Sequence, residues 1–282
     1  MRFFLLRCFL IFSLILSLCN MLYSINLETL DQAEALWEDK HVSGNFEAAI
    51  ELYEDLYQTA SQNRIVLERL SYAYSLKGYH FATTRKEQLG YLETSLEFIE
   101  QCLDLNLAYK HAKSNNVLFS DQLTYLGKDD LFCLLFKAQT RGQWAKTRGI
   151  GQSLKYVGLL KSMITRVGDI DSNFYYGAVD RYWGAFYANL PQFMGGSYEK
   201  SSEYFKQSIE VAPHYVGTYR LFIEDVVIPN KDSVLFDELI NQALQFDVAL
   251  LPLDLRLLNQ IEQQKLVIIK QQKASYFKTS SN

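Results

Sequence analysis

The chain has 282 residues, 49% of them hydrophobic, 14% aromatic and 21% charged, which is enough apolar matter for one large or two small packed domains and excludes a disordered polymer. A formal net charge of −4 makes nucleic acid a poor partner. All four prolines, Pro191, Pro213, Pro229 and Pro252, lie in the last third, and a chain free of proline before that point is expected to be mostly helical.

The first segment, residues 1–24, has the layout of an export leader. Arg2 and Arg7 precede an unbroken run of apolar and small residues from Cys8 to Leu18, and no acid appears before Glu28. That run is shorter than the roughly 20 residues a permanent membrane helix needs. "LSLC" at 16–19 is similar to the lipobox of bacterial lipoproteins, with Cys19 as the acylation candidate, although Leu18 stands where Gly, Ala or Ser is usual. Cleavage near Ser24 and retention as an uncleaved anchor are the other two fates. Loss of Arg2 and Arg7 with the leader takes the net charge from −4 to −6.

Helical hairpins follow. From Ala33 the order is Leu36, Trp37, Gly44, Phe46, Ala49, Tyr53 and Leu56, and the spacing predicts two helices that meet at a glycine turn with small side chains at their contact. A looser copy has Leu70, Tyr74 and Gly78 on its first helix, an inserted loop, then Gly90, Leu92, Ser95, Ile99 and Cys102 on its second. Cys102 and Cys133 both sit in apolar helical runs. Two buried free thiols are the favoured reading, with a single disulfide as the alternative in an exported protein.

Between Leu131 and Leu159, Gly142 and Gly149 are seven apart, as are Gly151 and Gly158. Helical glycine costs up to about 1 kcal/mol relative to alanine, so these rows predict either close helix contact or backbone open to a ligand. The spacing of the first hairpin returns near "GGSYEKSSEYFKQSIEVAP", residues 195–213. Ala185 and Ala188 precede it; Gly195 and Gly196 make the turn; Tyr198, Ser201, Phe205 and Ser208 form one stripe of the second helix. The small serines predict close approach, with Phe205 filling the space between them. Residues 233–247 and 253–272 read as two more amphipathic helices, and 276–282 as a frayed tail. The whole is an all-α stack of tetratricopeptide-like hairpins, a curved α-solenoid with a concave face, occupying residues 25–275 as one domain.

Catalytic signatures are missing. His41, His80, His111 and His214 are isolated in sequence and read as surface or packing residues, with no spacing of the kind zinc sites use. "SYEK" at 197–200 matches a short Ser-x-x-Lys pattern without its companion triplets, and reads instead as a helix first turn with Ser197 as N-cap. The acidic pairs Asp129-Asp130 and Glu224-Asp225 read as solvated faces. No cofactor, metal or catalytic residue is expected. Trp144, Arg181, Tyr182, Trp183 and Tyr187 are the ligand- or partner-binding candidates, because amphipathic aromatics beside a cation suit an apolar body with one polar end.

From Ala33 to Phe277 the order of features resembles the TatT-type lipoproteins, the tetratricopeptide components associated with TRAP transporters. The most specific piece is Arg181, Trp183, Gly184, Leu190, Pro191, Gly195 and Gly196, followed by a small-residue helix. Ser197 departs from the family's usual Asp, and Ser201 and Ser208 from its common Ala. The resemblance implies an exported protein on the periplasmic face of a bacterial membrane, tethered through its N-terminus. It further implies docking to a periplasmic solute-binding protein, a trimer in many members, and a cleft for an apolar small molecule. A plain envelope scaffold that binds only protein through its concave face is the alternative function, and an enzyme on a helical array a distant third.

Overall fold

The computed structural model describes residues 27–278, so the leader, Cys19 and the last four residues lie outside the described part. It is all-α: among the described residues there is no strand. The chain is helical from 27 to 38 (α1), and Gly44, at φ 88°, turns it into α2 (Asn45–Thr59). That positive φ is strained for any residue with a side chain. Trp37 lies edge-on to Tyr53 at 5.7 Å, and the Tyr53 hydroxyl donates to Glu34, so α1 and α2 run antiparallel. Ala49 is fully buried at the contact.

The second hairpin pairs α3 (Arg64–Leu76) with α4 (Arg85–Asp104), each started by a side-chain cap, Asn63 and Thr84. Ser95, at a small-residue position, donates to the Ser71 carbonyl at 2.7 Å, which brings the two backbones together. The expected inserted loop is instead a π-helical turn, Lys77–Phe81, that continues α3. Gly78 within it lies under Leu92, where an added Cβ would come within 2.7 Å of the leucine. Two short helices, α5 (Leu107–Ser114) and α6 (Phe119–Leu123), make an excursion before the third pair, α7 (Leu131–Arg148) and α8 (Ile150–Ile170).

Cys102 and Cys133 are both fully buried, as expected, and they are not free: a disulfide ties α4 to α7. The favoured thiol reading is thereby corrected. Periodicity had placed both residues on apolar faces but could not show that those faces meet. Asp130 is corrected as well. Far from solvated, it is 3% exposed and accepts from Arg64, Asn106 and the Gly127 amide.

The fourth pair is α9 (Phe174–Asn189) and α10 (Tyr198–Val211). Ser201 donates to the Gly184 carbonyl at 2.6 Å and Ser208 to the Gly177 carbonyl at 3.0 Å, with the Phe205 ring seated over Gly184 between them. Gly195, at φ 97°, makes the turn, and a Cβ on Gly196 would lie 1.9 Å from the Leu190 carbonyl oxygen. Ser197 caps α10 by accepting from the Lys200 amide. The chain then continues through α11 (Val216–Phe222), a second π-helical turn at Ile223–Val227, α12 (Ser233–Leu244), α13 (Leu253–Gln271) and α14 (Lys273–Tyr276). The assigned tail begins too early, because the Phe277 ring packs edge-on against Phe236 at 5.1 Å.

Candidate functional site

One cavity of about 490 Å³ is walled by α3, α7, α8, α9, α11, α13 and both π-helical turns. The volume is that of a pocket for a small molecule. Its buried end is aromatic. Tyr72, Phe136 and Tyr175 meet edge to face there, with ring centroids 5.0 to 6.4 Å apart, beside Tyr215 and Leu258. The walls run from this end along α7 to Lys146 and along α9 to Leu190. Near Lys146 and Leu190 the lining becomes exposed and apolar, with Ile150 at 74% and Leu154 at 39% exposure.

Arg181 belongs to the buried end. It is 4% exposed, and its guanidinium carbon stands 3.9 Å from the centroid of the Tyr215 ring. A conformational peculiarity explains its place. Tyr175, Tyr176 and Gly177 adopt three consecutive left-handed conformations at φ 49°, 57° and 67°. Left-handed geometry costs a residue with a side chain about 1–2 kcal/mol, and it turns carbonyls away from the helix ladder that would satisfy them. Arg181 collects two of them, donating from Nη1 to the Tyr176 oxygen at 2.7 Å and from Nη2 to the Tyr175 oxygen at 3.3 Å. Ser208 collects the third at Gly177. The turn thus aims the Tyr175 ring into the cavity while α9 resumes right-handed behind it.

A second polar group lies in the wall, where Arg220 holds Glu262 through two guanidinium nitrogens and also reaches Glu224. Glu262 is 2% exposed. Burial works to raise its carboxyl, and Arg220 outweighs burial to hold it below the usual range. His80, on the first π-helical turn, has Nδ1 3.8 Å from the Glu262 carboxylate and accepts from the Lys265 ammonium at 2.6 Å. Burial pushes its imidazole down to about 4. A third polar group sits nearer the open end. There Asp225, on the other π-helical turn, is raised by burial against the attraction of Lys146, and Lys146 reaches Asn189 at 3.5 Å.

The five candidates separate. Arg181 and Tyr182 line the cavity. Trp144, Trp183 and Tyr187 do not, because each is engaged elsewhere. Trp144 donates to Glu93, meets the Tyr156 ring edge-on and lies near the cations of Arg141 and Arg148, joining α4, α7 and α8. Trp183 and Tyr187 cover Tyr204 on the outer side of α9 and α10, with Tyr187 stacked on Tyr204 at 5.6 Å. His80, Tyr215, Arg220, Asp225 and Glu262 were missed, and the solvated reading of Glu224-Asp225 holds only for Glu224. The glycine rows carried a partial signal. Gly142 lines the cavity opposite Leu160, Gly149 breaks the helix at φ 111°, and Gly151 and Gly158 face open space.

From the Gly44 turn to Phe277, the helices and turns described above lie within a region that a family model matches, and α1 precedes it. The model for the TRAP transporter T-component covers residues 40–277. The chain belongs to the TRAP transporter T-component family. Membership gives this T-component a role associated with TRAP transport. No curated protein matches the chain. Among the described residues no helix is long and apolar enough to cross a membrane.

Proposed function

We propose that this T-component acts outside the cytoplasm as the docking partner of a TRAP solute-binding protein, and that its cavity receives or relays an apolar small molecule without chemical change. The observation that carries the reading is the cavity itself, apolar along α8 and polar at a few fixed points, opening at a lip of exposed apolar side chains. Leu190 and Pro191 of the wall lead directly into Phe193, 89% exposed, and Met194. Together with Ile150 they give an apolar surface of the kind that marks a contact site. The buried Cys102–Cys133 disulfide supports export, because such bonds persist in oxidising compartments and are rare where thiols are kept reduced.

The test mixes the purified protein with the TRAP solute-binding proteins of the same cell and measures association by calorimetry. Saturable binding that is lost in the double variant Ile150→Asp, Phe193→Asp supports the docking reading. Binding to none of them, or binding unchanged in that variant, removes it.

A further inference from the structure

We propose that the docking face beside the cavity lip is basic and receives an acidic, carboxylate-rich face of the solute-binding protein, with Arg85, Arg148 and Lys155 as the charges that steer the encounter. The proposal rests on the docking reading and adds the chemistry of the partner's surface. From Leu131 to Gly168 the chain has no Asp or Glu and seven Lys and Arg. The whole chain carries −4 and this segment +7, so the rest carries −11. The segment is the α7–α8 hairpin, whose residues Ile150 and Leu154 form the lip. Two of its cations are used within the fold: Lys137 pairs with Glu100, and Arg166 donates to the carbonyls of Thr124 and Leu126. Lys146 is attracted by the buried Asp225 and reaches Asn189. Among the described residues Arg141, Lys146, Arg148, Lys155 and Lys161 form no ion pair.

The start of α4 extends this face. Arg85 donates to the Arg148 carbonyl at 3.5 Å, which sets the first residue of α4 against the last of α7, and Arg85, Lys86 and Arg148 bound a recess of about 560 Å³. All three are exposed, as is Lys155. The nearby acids are engaged: Glu87 accepts from Thr83, and Glu93 from Trp144. Local structure accounts for Arg148, since the helix dipole favours a cation in the last turn of α7. It does not account for Arg85 and Lys86, which stand in the first turn of α4, where the dipole opposes one. The guanidinium carbons of Arg141 and Arg148 lie 5.1 and 5.0 Å from the Trp144 ring centre, so the ring steadies two planar forks of the kind that match a carboxylate bidentately. A recess beside a concave mouth fits protruding side chains of a protein better than the flat phosphate plane of a bilayer. Charges at the rim of an apolar contact act mainly on association rate and partner choice, while the apolar centre holds the complex.

The experiment takes the solute-binding protein that associates in the calorimetric test and follows association and dissociation rates from about 25 to about 300 mM salt. The association rate of the unaltered protein is expected to fall about 10-fold or more over that range, with dissociation changed by less than about threefold. The triple variant Arg85→Glu, Arg148→Glu, Lys155→Glu should slow association roughly 10- to 100-fold at low salt. Lys110→Glu, Lys128→Glu, Lys270→Glu, at exposed lysines of α5, the turn before α7 and α13, makes the same change in net charge and should stay within about threefold of the unaltered protein. Salt-independent association, or equal slowing by the two triple variants, overturns the acidic-partner proposal and leaves the docking reading in place. The salt series decides this even if a variant fails to fold. Flotation with phosphatidylglycerol vesicles tests the membrane: if reversing Arg85, Arg148 and Lys155 abolishes vesicle binding and leaves association with the solute-binding protein unchanged, the face belongs to anionic lipid and the proposal falls. Association with none of the solute-binding proteins removes the docking reading and this proposal with it.

Discussion

The guanidinium of Arg181 lies 3.9 Å from the centre of the Tyr215 ring while donating to the carbonyls of Tyr175 and Tyr176. One side chain therefore fastens the left-handed turn of α9, fixes the residue that leads into α11, and places a positive charge in the cavity wall. Removing it exposes two buried carbonyls at once. Arg181→Ala is expected to lower the unfolding free energy by about 2–5 kcal/mol, from two lost charged hydrogen bonds and the stacking contact. Arg181→Lys keeps charge but not the planar fork and should recover only part of the loss, as read from urea midpoints.

Two glycines with the same helical context are expected to respond in opposite directions. A Cβ at Gly184 would come within 2.9 Å of the Phe205 ring, in the gap that Ser201 and Ser208 keep open. Gly184→Ala should destabilise by about 1–3 kcal/mol through overpacking. At Gly158, exposed on α8, a Cβ meets nothing within 4 Å, so Gly158→Ala should stabilise by up to about 1 kcal/mol. Thermal melts of the two variants check both signs.

The hairpin at 195–213 was legible because its determinants are local: a glycine pair, a cap at Ser197 and small residues two turns apart state where the backbones touch. The cavity was legible only where a single segment carried it, as at Arg181, Tyr182 and Gly142. His80, Arg220 and Glu262 meet from segments as much as 182 positions apart, and nothing in the periodicity of any one of them records the others. Trp144 and Tyr187 misled for a related reason. An aromatic beside a cation looks alike in sequence whether it faces a cavity or clamps neighbouring helices. The left-handed run at Tyr175–Gly177 had no sequence signal beyond one glycine, since tyrosine rarely adopts that conformation.

The disulfide should contribute measurably. Cys102 and Cys133 are 31 residues apart, and closing a loop of that size stabilises by about 3–4 kcal/mol in the chain-entropy model. Because both sulfurs are buried, reduction is expected to require partial unfolding, so the bond should resist mild reductant in the native state. The measurement compares urea midpoints of the oxidised protein and of Cys102→Ala, Cys133→Ala, together with thiol titration of the native and unfolded chain. Ready labelling of both thiols in the native protein would contradict the buried bond.

The network at His80 predicts an acid-side loss of stability whose sign is fixed by the direction of its shifts. Burial holds the folded imidazole near 4 against about 6.5 in the unfolded chain, so between those values the unfolded state binds more protons. Stability is then complete above about pH 6.5 and falls as pH drops toward 4, by at most about 3 kcal/mol from this residue. Glu262 adds to the fall: with its folded carboxyl held low by Arg220, its contribution is present above the unfolded carboxylate range and is lost on further acidification. Lys265, whose ammonium donates to His80 Nδ1, fixes the neutral tautomer with the proton on Nε2. His80→Gln keeps a polar side chain at the site but cannot titrate, so its unfolding free energy should be nearly flat from pH 6.5 to 5, where the unaltered protein slopes. Parallel slopes in the two proteins over that window would show that the imidazole titrates normally, in conflict with its burial beside Arg220 and Lys265.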